Sequence, residues 1–349
     1  MAVSLKQIAA QTNVSIATVS KVLSGREDVS DKTRQRILKV AKDMNYRPNL
    51  LVRGIQTGKT NTIGVMVPVG SDAFFSNIVA GIHKHLQYEN YVPILLWASR
   101  LPDDTWASRT ELELIHQLVD RRVDGLIVRP IEDAASDDYL HEIHDHHLPL
   151  VAVDRALPNS HRADFVGTDD YCGGQLAAEH LLELGHRHIL HLAGPDFAST
   201  ARHRREGFES VIRQCPDVRY DVIMDKTFTG SNQQLMHDYF DNHPLPTAIF
   251  AANDFMAARL YNVLHQRQVR IGHDVSVIGF SDLDFAQYMQ PSLTTLLQHP
   301  LEIGTKAAQL VLNRINNASE QVSEYEPVQI RLKPELIARE STMPPRRGQ

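Results

Sequence analysis

The sequence predicts a small all-α head carrying a helix-turn-helix, followed by an α/β body of two lobes with parallel sheets. Three observations predict this. Residues 5–24, LKQIAAQTNVSIATVSKVLS, repeat apolar side chains at helical spacing on either side of a turn residue. From residue 61 onward, short apolar runs alternate with helical stretches, the pattern of parallel sheets covered on both faces. The charge divides at the same place. Residues 1–60 hold 11 Lys/Arg against 4 Asp/Glu, a net +7; the other 289 hold 25 against 38, a net −13. A basic head on an acidic body suits a chain that grips a polyanion at one end only.

In the head, Leu5, Ile8, Ala9 and Thr12 share one helix face, and Val19, Val22 and Leu23 form the inner side of a second helix. Ala9 is small enough for that second helix to cross closely. Asn13 stands at the turn and tolerates a left-handed backbone. Ser15 is placed to cap the second helix. That helix then turns Ile16, Ala17, Thr18, Ser20 and Lys21 outward, small groups and hydroxyls suited to base edges and phosphates in a major groove. A third helix follows, with Ser30 as its N-cap, Ile37, Val40, Ala41 and Met44 as its inner stripe, and Asn45 at its end. Pro48 stops what precedes it, and Asn49 caps a short new segment, LLVRGI.

The body offers candidate strands at 63–68, 92–97, 125–128, 148–154, 188–193, 222–224, 247–251 and 275–279. Helical stretches lie between them, at 75–89, 108–121, 170–184, 203–214, 231–242 and 254–267. These are more strands than one doubly wound unit needs, so two lobes are expected, with a ligand cleft where the carboxyl ends of the strands face each other. The tail from Glu326 reads as a strand pair followed by a disordered end.

The runs ATVSKVLSG (17–25), NYRPN (45–49) and TIGVMVP (62–68) resemble the LacI/GalR family of bacterial transcription regulators, and the resemblance extends over nearly the whole chain. It implies a helix-turn-helix domain at 1–48, a hinge helix and linker at 49–60, and a ribose-binding type of periplasmic-binding-protein fold at 61–340. The family's three crossings between lobes fall near 156–163, 289–294 and 320–330. Lobe N is then about 61–158 and 292–322, and lobe C about 162–289 and 326–340, with 341–349 a disordered tail. The resemblance also implies operator contacts from Ser4, Ser15, Ile16, Ala17, Thr18, Ser20, Lys21, Ser30, Asn49, Val52 and Ile55, with Ile55 as an apolar minor-groove wedge.

Position by position, family effector contacts fall on Asp72, Phe74, Asp154, Arg202, Phe228, Asn253, Ser281 and Gln298. Carboxylates, amides, a guanidinium fork and aromatic faces suit a polyol. Ser281 departs from the pattern, because the family usually places Asp there. Asp254 reads more as a helix cap than as a contact, and one of Phe74 and Phe75 reads as core.

The expectation is a DNA-binding regulator, in the first instance a repressor. It would act as a homodimer on a pseudo-palindromic operator, be controlled by a sugar-like effector, and need no cofactor or metal. The crowded His141, His144, His146 and His147 lack Cys or carboxylate partners at ligand spacing and read as a polar helix end. Two cysteines make neither a disulfide framework nor a metal site. No apolar run is long enough to span a membrane, and MAVSLKQIAAQ has no apolar leader core, so a cytoplasmic protein is expected. A solute-binding transport protein would share the body but leave the first 60 residues without a role. An enzyme would need a nucleophile–base pair, and none is found. The tail carries no leucine heptads, so it lacks the tetramer-forming helix of one branch of the family it resembles, and the resemblance then implies a dimer.

Overall fold

The computed structural model describes residues 3–23, 28–46, 58–68, 73–98, 108–130, 143, 146–157, 163–228, 230, 232–317 and 326–346. It divides into two compact units, residues 1–60 and 61–349. The expected contacts Asn49, Val52, Ile55 and Asp72, and the histidines His141 and His144, lie outside the described residues.

The first unit holds α1 (Leu5–Thr12), α2 (Ile16–Leu23) and α3 (Asp31–Asp43). Ser4 opens α1 with a capping box: its hydroxyl accepts from the Gln7 amide, and its own amide donates to Gln7 Oε1 at 2.8 Å. Asn13 closes α1 at φ 51°, the left-handed turn expected of it. Ser15 Oγ accepts from the Thr18 amide at 3.0 Å, as a cap of α2 should. Ile8, Ala9, Val19, Val22, Ile37 and Ala41 make one buried cluster, so the three helices share a single small core. Ser30 precedes α3 but makes no side-chain cap bond; its hydroxyl donates to Thr33 Oγ1 instead.

The second unit carries two parallel sheets. The first runs in the order β11 (Gln329–Leu332), β5 (Asp164–Thr168), β4 (Leu150–Val153), β3 (Gly125–Val128), β1 (Thr62–Pro68), β2 (Val92–Ala98). The second runs β7 (Arg219–Met224), β6 (His188–Ala193), β8 (Ala248–Ala251), β9 (Ser276–Ile278), and β10 (Thr295–Leu297) pairs antiparallel with β12 (Glu335–Ile337). Bridges Ile278↔Thr294 and Ser281↔Leu297 tie β10 to the second sheet. Helices α4 (Ala73–Tyr88) and α10 (Pro300–Asn316) contribute to the core over the first sheet, and α5 (Ser108–Asp120) covers its other face. Helices α6 (Asp170–Glu183) and α7 (Ser199–Ile212) pack on one face of the second sheet, with α8 (Gln233–Asn242) and α9 (Asp254–Gln266) on the other.

This topology moves all three crossings towards the C-terminus. β5 belongs to the first sheet, so the chain crosses after Thr168 and not at 156–163. β10 belongs with the second sheet and α10 with the first, so the second crossing is at Gln298–His299 and not at 289–294. β11 and β12 do not pair with each other; they lie in different sheets, and the third crossing is at 333–334. The reason β5 escapes a reading of apolar runs is its first residue. Asp164 is fully buried, and its carboxylate accepts from Arg314 Nε and Nη2, both at 2.8 Å, and from the Val328 amide at 2.7 Å. Those partners lie 150 and 164 residues away.

The tail is also corrected. Ser341 and Thr342 are buried, Ser341 Oγ donates to Val277 O at 2.6 Å, and Ser276 Oγ donates to Met343 O at 2.9 Å. Residues 341–343 therefore form a strap over the second lobe rather than a loose end.

The helix pairs are close because glycines face each other. A Cβ on Gly207 of α7 would lie 2.0 Å from Tyr171 O of α6, and one on Gly174 of α6 would lie 2.1 Å from Arg204 O of α7. Backbone cannot yield there without separating the helices. Gly207→Ala is therefore expected to lower stability by about 1–3 kcal/mol, read as a lower denaturation midpoint; an unchanged midpoint would show that the two helices are free to move apart.

Candidate effector cleft and DNA-reading head

On the head, α2 presents the expected face. Ile16 is 48% exposed although it is a large apolar residue, and Ala17 beside it is exposed. Thr18, Ser20 and Lys21 are half-buried, and Thr18 Oγ1 and Ser15 Oγ lie 2.9 Å apart. Lys21 Nζ donates to Asp28 Oδ2 at 2.6 Å, so its ammonium has a carboxylate partner that a phosphate or a guanine must replace.

In the body, residues from both lobes converge at the carboxyl ends of the strands. Asp154 follows β4 at φ 63° and accepts from Arg129 Nε at 3.1 Å; both side chains are 9% exposed. Arg155, next in sequence and 3% exposed, reaches to the second lobe. Its guanidinium lies 5.8 Å from the ring centroid of Phe197 and 5.6 Å from that of Phe228, within cation–π range. Arg129 likewise lies 5.3 Å from the ring of Phe75. Arg129 and Phe197 are not among the contacts the sequence offers, whereas Arg155 is, paired with Asp154 after the fourth apolar run. Nothing local in the sequence shows which rings Arg155 reaches.

Several expected contacts have other roles. Phe74 is 5% exposed inside the first lobe's core, so the pair resolves with Phe74 as packing and Phe75 towards Arg129. Asn253 is the cap of α9: its Oδ1 accepts from the Met256 amide at 2.8 Å, and its Nδ2 donates to Phe228 O at 2.9 Å. Asp254 is not the cap. It is fully buried, and it accepts from Thr295 Oγ1 at 2.6 Å and from the Leu283 amide at 2.8 Å. Through that second bond it places Leu283 in the core of the first lobe. Arg202 is half-buried and donates to Asp196 O at 3.3 Å.

The buried arginine of α7 is Arg204, two residues on. It donates to Asp170 Oδ1 at 2.8 Å, to Ala252 O at 2.7 Å and to Gln298 Oε1 at 3.2 Å, and its plane lies 3.8 Å from the centroid of Phe280. Gln298 is 2% exposed, and both its amide oxygen and its amide nitrogen have protein partners. Its oxygen also accepts from Thr168 Oγ1 at 3.1 Å, and its nitrogen donates to Ser281 Oγ at 2.8 Å. Ser281 thus serves Gln298, and the neighbouring Asp282 is held by Arg339 at 2.6 Å. Neither restores the missing carboxylate.

Of the crowded histidines, only His146 and His147 are described. No group of three or more His, Cys, Asp or Glu side chains placed to hold a metal occurs among the described residues. His186 and His191 serve the body's packing: burial pushes them down to about 4 and about 3, and they bond to Met343 O and Tyr220 Oη. Among the described residues, no helix is long and apolar enough to cross a membrane.

Burial pushes Asp170 up to about 7, with Arg204 opposing and the nearby Asp154 adding to the rise. Burial also pushes Asp254 up to about 6. A carboxyl whose folded value exceeds its unfolded one binds more protons when folded, so its contribution favours folding at low pH and is lost as pH rises through the folded value. His186 and His191 act in the opposite sense, because near pH 6.5 they take up protons only when unfolded, so the part due to Asp170 is read against a variant that lacks its carboxyl. Between pH 6.5 and 8, urea titrations should show the protein losing about 1 kcal/mol of stability relative to Asp170→Asn. Parallel pH profiles for the two proteins would show that Asp170 does not titrate in this range.

Comparison with known proteins agrees with this arrangement. Residues 4–49 match the family described as "Bacterial regulatory proteins, lacI family", and residues 178–342 match "Periplasmic binding protein-like domain". The HTH-type transcriptional repressor PurR of Haemophilus influenzae (strain PittEE) is 30% identical over 340 residues, 97% of this chain and 98% of that protein. PurR of Photobacterium profundum is 30% identical over 347 residues, with the same coverage. Among solved structures, the Lac repressor dimer bound to operator and the anti-inducer ONPF superposes with a TM-score of 0.82 at 25% identity, covering 98% of this chain and 100% of that one. A LacI family regulator from Enterococcus faecium with bound ribose gives 0.69 at 32% identity, covering 82% and 100%. A three-helix reading head and a two-lobed cleft in one chain, matched over nearly its whole length, have one assignment: this chain belongs to the lacI family of DNA-binding bacterial transcription regulators and is not an enzyme.

Proposed function

We propose that this protein is a homodimeric repressor that binds a pseudo-palindromic operator through α2 and releases or tightens on it when a sugar or sugar derivative occupies the cleft. The observation that carries the DNA-reading half is the exposed Ile16 and Ala17 on a helix whose other face is buried. An exposed isoleucine on a small basic domain has an apolar partner to find, and a thymine methyl in a major groove provides one. Two-fold related half-sites require a two-fold related protein. The Lac repressor was solved as an operator-bound dimer, which supports the same state here. The reading places the protein in the cytoplasm, on the nucleoid when operator-bound.

The sugar class rests on the chemistry of the cleft and on its relatives. Asp154, Arg155 and Phe228 offer an acceptor, a donor fork and a ring face, as polyol recognition needs. The Enterococcus faecium relative was solved with ribose. A ligand screen decides the class. Arg202, Phe228 and Ser281 are retained as contacts in this proposal. Asn253 and Gln298 border the cleft with their side chains already bonded.

Selection from random duplexes by the full-length protein is expected to return a two-fold symmetric site. The double variant Ile16→Ala, Ala17→Ser should return a different one, at about 1–3 kcal/mol per affected base pair. Recovery of the same site by both proteins would remove these residues from base reading, and no enrichment at all would overturn the regulator reading in favour of a solute-binding protein. A thermal-shift panel of pentoses, hexoses and purines then names the ligand class, and Arg202→Ala should lose that shift while keeping operator affinity. An Arg202→Ala protein that still responds to the ligand takes Arg202 out of the cleft.

A further inference from the structure

The two lobes are joined by three chain crossings, and two of them meet at one buried polar cluster. Thr168 is the last residue of β5, the final first-lobe residue before the first crossing. Gln298 stands at the second crossing, between β10 of the second lobe and α10 of the first. Arg204 comes from α7, wholly within the second lobe. The oxygen of Gln298 accepts from Thr168 on one side and from Arg204 on the other, at 3.1 and 3.2 Å, so one atom holds donors from both lobes. All three residues are at most 4% exposed. Arg204 is itself fixed by Asp170, the first residue of α6 after the first crossing, and by the Phe280 ring.

A sliding or hinging of one lobe on the other cannot leave this cluster unchanged. The hydroxyl–amide–guanidinium chain spans the moving parts, and a buried donor that loses its acceptor is costly. Gln298 is also the residue that sequence resemblance offers as an effector contact, yet each polar atom of its side chain already has a protein partner.

We propose that Thr168, Gln298 and Arg204 form a hinge staple that selects the lobe arrangement of the effector-free protein. Gln298, Thr168 and Arg204 are then positioning residues for the response to effector rather than groups that touch it. The consequence for operator control rests on the function proposed above; the staple itself does not. Its test uses neither operator nor effector.

Distances between spin labels report the lobe arrangement directly. Labels at Glu89→Cys, on the first lobe, and Gln214→Cys, on the second, are introduced into the full-length chain with Cys172 and Cys215 changed to Ser, diluted with unlabelled protein. The staple predicts one dominant distance in the reference protein. In Thr168→Val, which removes one hydroxyl at constant shape, the distribution should shift or broaden. Gln298→Ala should do the same, and the double variant should go no further than Gln298→Ala alone, because that change already removes the acceptor of Thr168. Thr168→Ser keeps the hydroxyl and should restore the reference distribution. A Thr168→Val protein with a lowered melting temperature but an unchanged distribution would overturn the proposal by making the cluster packing alone. Additive effects in the double variant would also overturn it. Should Thr168→Val not fold, the contrast between Gln298→Ala and Thr168→Ser carries the same test.

Discussion

The sensor unit depends on one buried guanidinium. Arg204 carries a full charge at 4% exposure, where an unpaired ion would cost several kcal/mol. Its position is tolerable because Asp170 accepts from its Nε, Ala252 O and Gln298 Oε1 accept from its two terminal nitrogens, and Phe280 offers a ring face. Each partner comes from a different segment: the helix after the first crossing, the end of β8, the second crossing, and the end of β9. The arginine therefore fixes where the second lobe's strand ends stand relative to the points at which the chain leaves for the first lobe. The cleft lies between those strand ends and the matching ends of the first sheet.

Polar interactions that are buried and satisfied define one geometry sharply, because any other geometry strands a donor or an acceptor. Apolar packing does so less, since apolar contacts can slide. The division is visible here. Within each lobe, the cores are apolar and the helix pairs are set by glycine contacts. Between the lobes, the contacts include Thr168 to Gln298 and Arg155 to Phe197 and Phe228, together with Leu283 seated by Asp254. Lobes that are rigid inside and polar at their junction are the physical requirement for two discrete arrangements rather than continuous deformation.

Much of the architecture was legible in the sequence because it is local. Helical periodicity locates α1, α2 and α3, Asn13 marks the turn, and Ser15 marks the cap. The apolar runs mark β1, β2, β3, β4, β6 and β8, since buried parallel strands read as continuous hydrophobic stretches. What escaped is non-local. β5 opens on Asp164, whose buried charge is answered by Arg314 from another crossing of the chain, so the strand looks too polar to be buried. The three crossings were displaced for the same reason, because assigning β5, β10 and β11 requires their partners. At the cleft, the residue types were legible but their tasks were not. Asn253 caps a helix, Phe74 packs in a core and Gln298 bridges lobes, whereas Arg129 and Arg155 stand among the rings. An amide or a guanidinium announces that it needs partners; only the fold says whether protein or ligand provides them.

The central claim is that lobe arrangement and operator binding are one equilibrium. Linkage makes that claim reciprocal: if the cleft controls the head, the operator must bias the hinge. Backbone hydrogen exchange on the full-length protein, with and without a duplex obtained by selection, measures this directly. The account predicts altered protection at residues 166–172 and 294–300 on operator binding, far in sequence from the DNA-reading helix. Protection changes confined to residues 1–60 would contradict it.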